Sequence, residues 1–358
     1  MNFSLFSTLF LFITIISIPT VAGTKPHVIN FRSPNLYPKS FTWDPKSQHF
    51  IVGGSTRHHH QNLISVSDAG VVHTLITDAT LPPNSSFHGL TIDRQNNRLL
   101  ASIHCPPSSP EFPAPLNFLA SYNLQSNRRL FLTSLSDESH LLAVANDVAL
   151  DYYGNAYVTN SGADVIWKVD INGDVSILSQ SKAFKAAKRG LNGIVHSSRG
   201  YLFVGQSNTG KLFKVDVDDG TARAVTLNKD LTAADGIAVR DDGVLLVVSK
   251  RTLYFLRSND GWGAGVVFDE IALDTRRFAT AVTVGDQKRA YVLYGHVTEG
   301  INGNAEREEF SIVEVKSNEE NEEESIWLYV LIGLGLTIFF FWRFQMHRLV
   351  ERLNKKTV

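Results

Sequence analysis

Six short segments of this 358-residue chain share one local plan, and that repeat constrains the fold more than anything else in the sequence. Four copies are clear: His88-Gly89-Leu90-Thr91-Ile92-Asp93, Asn146-Asp147-Val148-Ala149-Leu150-Asp151, Asn192-Gly193-Ile194-Val195-His196 and Asp235-Gly236-Ile237-Ala238-Val239. Each is followed by a polar turn and a second apolar run, such as Ala156-Tyr157-Val158-Thr159 or Val244-Leu245-Leu246-Val247. Lys39-Ser40-Phe41-Thr42-Trp43-Asp44 and Thr280-Ala281-Val282-Thr283-Val284 are weaker copies. Short apolar runs divided by turn residues are the pattern of an all-β domain. Aligned on Ser40, Gly89, Asp147, Gly193, Gly236 and Ala281, the copies stand 43 to 58 residues apart, the length of a four-stranded blade. Six copies predict a six-bladed β-propeller over residues 28–315. Val28–Phe31 and Phe310–Val315 are expected to share the last blade, which closes the ring without leaving a sheet edge.

The first strand of a propeller blade is the innermost one. The residue before each anchor is therefore expected at one end of the central channel. Around the ring these residues are Lys39, His88, Asn146, Asn192, Asp235 and Thr280, all polar, and the strand residues that follow are mostly apolar. A polar ring against an apolar wall is what a small-molecule or metal site needs. Asn192-Gly193 and Asp235-Gly236 are also strong hairpin dipeptides, so a turn is the competing reading. Each unit, however, already has its own turn a few residues later.

The two ends of the chain differ from the middle. Leu5 to Ile18 is almost wholly apolar, then come Pro19 and the small residues Val21-Ala22-Gly23, so residues 1–23 read as a secretory signal peptide. Residues 316–325 are an acidic linker with five glutamates between Glu319 and Glu324, and 326–342 carry no charge and read as one transmembrane helix. Arg343, Arg348, Arg352, Lys355 and Lys356 make 343–358 a basic cytoplasmic tail, which puts the propeller on the lumenal or extracellular side of the secretory pathway. Asn84-Ser85-Ser86 is then an acceptor for N-glycosylation. With 34 basic and 35 acidic residues, the net charge of −1 supplies no field for nucleic acid. The lone Cys105, placed by the following Pro106-Pro107 in a loop, excludes an intramolecular disulfide framework and a multi-thiolate metal site. Ser181 to Arg189 has the composition of a short surface helix.

The units around Asn146, Leu191-Asn192-Gly193-Ile194 and Ala234-Asp235-Gly236-Ile237-Ala238-Val239 resemble those of the gluconolactonase/senescence-marker-protein family, itself similar to the calcium-dependent phosphotriesterases and paraoxonases. The resemblance covers about residues 28 to 315 and not the C-terminal span; it implies a hydrolase of lactones or organophosphate-type esters, which that span would tether to a membrane. It implies a channel calcium held by Asn146, Asn192 and Asp235, with Asp235 oriented for attack; His88, by its place in the axial ring, is expected as a base or substrate contact. Oxygen ligands on rigid strands suit that hard cation, which would polarise the substrate oxygen.

One position departs from the family. Its first-blade glutamate stands four residues before a tryptophan, and here that position is Lys39, four before Trp43. An ammonium donates hydrogen bonds and cannot ligate a cation. Lys39 is therefore expected either to turn away from the ion or to replace it by pairing with Asp235, which makes the alternative a non-catalytic ligand- or protein-binding propeller. His58-His59-His60 is read as a loop rather than a chelating site, and His104 and His296 are placed near a channel end.

Overall fold

The structure is a computed structural model that describes residues 26–54, 62–107, 114–135, 142–186, 190–303 and 306–354. The expected signal peptide and His58-His59-His60 lie outside the described residues. The described chain forms six sheets, each of four antiparallel strands in radial order, with one short extra strand paired parallel on the fifth. The innermost strands are β2 (Pro38–Asp44), β6 (Ser86–Asp93), β10 (Ala145–Leu150), β14 (Leu191–Ser197), β19 (Ala234–Val239) and β23 (Ala279–Val284). These are the six sequence repeats, and the fold is a six-bladed β-propeller. The N-terminal strand β1 (Val28–Arg32) pairs with β25 (Glu309–Val315), Val28 opposite Val313 and Phe31 opposite Phe310, so the two ends of the domain lock one blade.

Apolar side chains from facing blades fill the spaces between them. One such layer holds Phe41, Phe50, Tyr291, Leu293 and Phe310, and another holds Tyr201, Phe203, Leu245, Val247 and Trp262. The blades twist past one another, and near the axis the innermost strands come so close that small residues are needed. A Cβ on Gly89 would stand 2.7 Å from Asp147 Cα, and one on Gly236 would stand 3.0 Å from Ala281 Cα. That is why the repeat anchors are mostly Gly, Ala or Ser.

Neither Asn192-Gly193 nor Asp235-Gly236 is a turn; both lie inside strands. Two local expectations change. Cys105 ends strand β7 (Arg98–Cys105), is buried, and has Sγ 2.9 Å from Ser85 Oγ, because the strand runs up to the residue before Pro106 and only there loses its ladder donors. The segment from Ser181 supplies a single 3-10 turn at Lys182–Phe184, pinned by the fully buried Phe184. A 37-residue helix runs from Asn318 to Asn354, beginning within the acidic stretch, and Tyr329–Leu353 within it is long and apolar enough to cross a membrane.

Candidate site in the central channel

All six innermost strands break register at the same place. The irregularities fall between Pro38 and Ser40, Phe87 and Gly89, Ala145 and Val148, Leu191 and Ile194, Ala234 and Ile237, and Ala279 and Ala281. Every predicted ring residue sits in one of these bulges. A bulge leaves a residue out of the ladder and re-aims its side chain, and bulges gather next to functional sites for that reason.

The bulged backbone is held by the neighbouring blade. Ser102 Oγ donates to Asn146 O, Thr159 Oγ1 to Asn192 O at 2.6 Å, Ser161 Oγ to Leu191 O at 2.5 Å and Ser207 Oγ to Ala234 O at 2.5 Å. Thr280 Oγ1 reaches Pro38 O at 3.4 Å, so its hydroxyl closes the ring between last and first blades. Asn146 and Asn192 donate through Nδ2 to Ser161 Oγ (2.7 Å) and Ser207 Oγ (2.8 Å), which leaves each Oδ1 as an acceptor.

Lys39 and Asp235 meet across the channel. Nζ lies 2.7 Å from Oδ1, and both side chains are largely buried, 17 and 16% exposed. Below this pair is a residue that sequence reasoning passed over. Asp147 occupies an anchor position, where the other five copies have a small residue. That exception was the available signal. Its carboxylate accepts from the backbone N–H of Val148 (2.9 Å) and of Ile194 in the next blade (3.1 Å). Burial pushes its pKa up to about 7; the two N–H groups and the Lys39 charge oppose that rise, and the Asp235 charge adds to it. His88 goes the other way. Burial, then the neighbouring His104 and Lys39, push its pKa down to about 3, so it is neutral at pH 7. Its Nδ1 is 3.0 Å from Ala145 O, a carbonyl that can only accept, so the proton sits on Nδ1 and Nε2 carries a lone pair. The His88 and His104 rings are 5.3 Å apart. His296 pairs with Glu299 at 2.8 Å, and its ring stands 6.3 Å from that of Phe310.

A cavity of about 900 Å³ runs along the axis from the anchor residues, lined by residues of all six innermost strands; Asp147 lines its inner end, whereas Lys39, His88, Asn146, Asn192, Asp235 and Thr280 lie outside its lining. Its walls include Leu90, Val148, Ile194, Ile237, Ala238 and Val282, and its mouth has Trp43, Arg94, Tyr152, His196, Asp241 and Lys288.

As they stand, these groups do not fit calcium. Two neutral amide oxygens and one carboxylate converge, but an ammonium already occupies that carboxylate, and no cluster of three or more His, Cys, Asp or Glu side chains exists among the described residues. A divalent ion 4 Å from the ammonium would be repelled by about 8 kcal/mol at an effective dielectric of about 20. Asn84, the sequon residue, is exposed in the loop between β5 (Val72–Thr77) and β6, with φ 60°.

No protein-family profile and no curated protein matches the sequence. Solved structures match the propeller. The major Malassezia sympodialis allergen Mala s 1 aligns with TM-score 0.67 and 18% identity over 82% of this chain and 97% of its own. A gluconolactonase from Xanthomonas campestris aligns with TM-score 0.56 and 14% identity over 81 and 90%. Virginiamycin B lyase from Staphylococcus aureus aligns with TM-score 0.52 and 10% identity over 82 and 100%. At these identities the likeness is one of fold: the chain has a gluconolactonase-like six-bladed propeller followed by one apolar helix.

Proposed function

We propose that this protein is a membrane-tethered, secretory-pathway propeller that binds a small molecule in its central channel without calcium. The observation that carries this reading is the 2.7 Å contact between Lys39 Nζ and Asp235 Oδ1, which puts a fixed positive charge where a metal would stand. A rigid channel walled by both polar and aliphatic side chains of six strands, with the Asp147 carboxylate at its inner end, is a binding site whether or not chemistry follows. The test is calcium itself. The melting temperature of the wild-type protein is expected not to move with added calcium or with chelator. Lys39→Glu, which restores an acidic ligand beside Asn146, Asn192 and Asp235, is expected to gain calcium-dependent stabilisation. Tight calcium binding by the wild type sinks the proposal.

One observation favours a second reading. Asp147 changes charge near pH 7 beside the Lys39 ammonium, as a general base should. In a metal-free hydrolysis its carboxylate takes a proton from water as that water attacks a lactone or ester carbonyl, and the ring oxygen leaves with a proton. Lactone turnover that rises with pH through about 7, survives chelator and vanishes in Asp147→Asn supports it; no turnover above the Asp147→Asn background rejects it.

A further inference from the structure

The charge of the channel cavity is unbalanced, and the imbalance begins at its inner end. Asp147 lines that end and is only partly buried. Its Oδ1 accepts from the Val148 N–H and its Oδ2 from the Ile194 N–H, so each oxygen keeps a lone pair for another donor. Among the described residues no side-chain cation makes an ion pair with it, because the nearby Lys39 ammonium is held by Asp235 at 2.7 Å. That pair neutralises itself and leaves the Asp147 charge without a counter-ion.

The walls repeat the pattern. Asp151, Asp241 and Asp286 also line the cavity, and none of them makes an ion pair among the described residues. Asp93 is neutralised by the buried Arg98 at 2.9 Å. Of the two permanent cations in the lining, Arg94 is exposed at the mouth and Lys288 leans 3.5 Å from Asp242, outside the lining. The acidic start of the long helix stands beside the same opening. Val284 of the lining pairs with Ala290, and Ala290 with Val315, so the chain leaves the propeller at the mouth end. There Asp269 Oδ2 accepts from Ser317 Oγ and the Asn318 N–H, both at 2.7 Å, and Arg240 forks onto Glu320 at 2.6 and 2.9 Å. Glu319 and Glu320 edge a second cavity of about 510 Å³, which shares Tyr152, His196 and Asp241 with the channel mouth. A cleft lined by one sign of charge concentrates ions of the other sign.

We infer that the channel cavity takes a small organic cation, a primary ammonium on a compact aliphatic or aromatic body, with its nitrogen on the Asp147 carboxylate. The walls next to that carboxylate are divided in a way that suits such a ligand. Two residues beyond the anchors, Thr42, Thr91 and Thr283 come from three neighbouring blades, and Ala149, Val195 and Ala238 come from the other three. One side of the cavity therefore offers hydroxyls to the remaining N–H groups of an ammonium, and the other offers aliphatic surface to its carbon body. An uncharged ligand would leave Asp147 uncompensated, and an anion would be repelled by it.

This inference rests on the small-molecule reading of the channel, and the experiment separates the two. The full chain in phosphatidylcholine nanodiscs is titrated at pH 8, where Asp147 is ionised, and fluorine NMR of the probe reads binding. The probes are 4-fluorobenzylammonium and its uncharged counterpart, 4-fluorobenzyl alcohol. The cation is expected to half-saturate at a concentration at least about tenfold lower, the scale of one charge-assisted contact. Asp147→Asn is expected to remove that preference. Thr91→Phe and, separately, Thr283→Phe narrow the cavity and are expected to abolish saturable binding of both probes without lowering the melting temperature. Equal half-saturation by the two probes, lost in Thr91→Phe, overturns the cation inference and leaves channel binding standing. A preference that survives Asp147→Asn, or binding that ignores both threonine substitutions, places the cation elsewhere and overturns the inference. No saturable binding of the cation overturns it as well, while the response to calcium judges the metal-free reading by itself.

Discussion

The floor and the mouth of the channel are joined between blades by different kinds of bond. At the floor, hydroxyls of Ser102, Thr159, Ser161 and Ser207 reach backbone carbonyls of the next blade, and His88 does the same through Nδ1. At the mouth the links are mostly side chain to side chain: Trp43 Nε1 to Asp286 (3.1 Å), Lys46 to Asn97 (3.2 Å) and Lys288 to Asp242 (3.5 Å). The buried Arg98, which donates to Gly154 O at 2.8 Å, is an exception. Anchoring the backbone at the floor leaves Lys39, Asp147 and Asp235 to face the channel, so their charges meet one another in a place with little water. At the mouth, the side chains that could contact a ligand are largely engaged with each other or with solvent.

The sharpest way to break this contrast is Lys39→Met. It removes one partner of a largely buried pair and leaves Asp235 and Asp147 facing each other. A loss of about 3 to 5 kcal/mol is expected in denaturant unfolding. The double variant Lys39→Met/Asp235→Asn should recover most of it. If the single variant costs less than the double, the floor is not held by charge.

Asp147 gives a pH signature of opposite sign from that of most carboxylates. Its pKa in the folded protein, about 7, lies above the ordinary 3.8, so the native state keeps the proton longer than the unfolded chain does. Its contribution is full at low pH and is lost as pH rises from about 4 to 7, by about 2 to 4 kcal/mol. Asp147→Asn should flatten that part of the stability profile and be the more stable protein at pH 8. Unfolding curves across that range check it, and a variant that merely loses stability at every pH would show the carboxylate to be well solvated.

How much of this could be read in advance follows from the same contrast. The six ring positions were legible because a bulge recurs at a fixed place in each repeat, and Lys39 stood out against five neighbours that bear no cation. Asp147 was hidden because the anchor position looked like a packing position. Only the close approach of Gly89 to its Cα explains how one anchor can carry a side chain while its neighbour carries none. The link from Arg240 to Glu320 was hidden for another reason: it joins residues 80 apart through a tether that looked, by its charge, like a solvated linker.

Ser207→Ala tests the backbone anchoring alone. It removes the donor to Ala234 O and the acceptor of Asn192 Nδ2, and about 1 to 3 kcal/mol is expected, because two polar groups lose their partner where water is scarce. Lys46→Ala, the matched loss at the exposed mouth, should be near zero. Comparable costs for the two would erase the distinction between the ends.

A small effect on stability should come with a large effect on geometry. Arg240 lies beneath the rim with only 10% of its side chain exposed, between Asp242 and Glu320. Burial works against its charge, but the two carboxylates more than offset this and hold its pKa above the usual value. Arg240→Lys keeps the charge and loses the planar fork, which a point-charge ammonium cannot reproduce on two carboxylates at once. About 1 kcal/mol is expected in unfolding. Because Ser317 and Asn318 still bind Asp269, the helix should stay attached but pivot. Spin labels placed at Tyr153 and at Glu319 in the full chain should give a narrow distance distribution in the wild type and a clearly broader one in the variant. An unchanged distribution would mean that Asp269 alone sets the angle between channel mouth and membrane, and that the Arg240 fork contributes only its small share of stability.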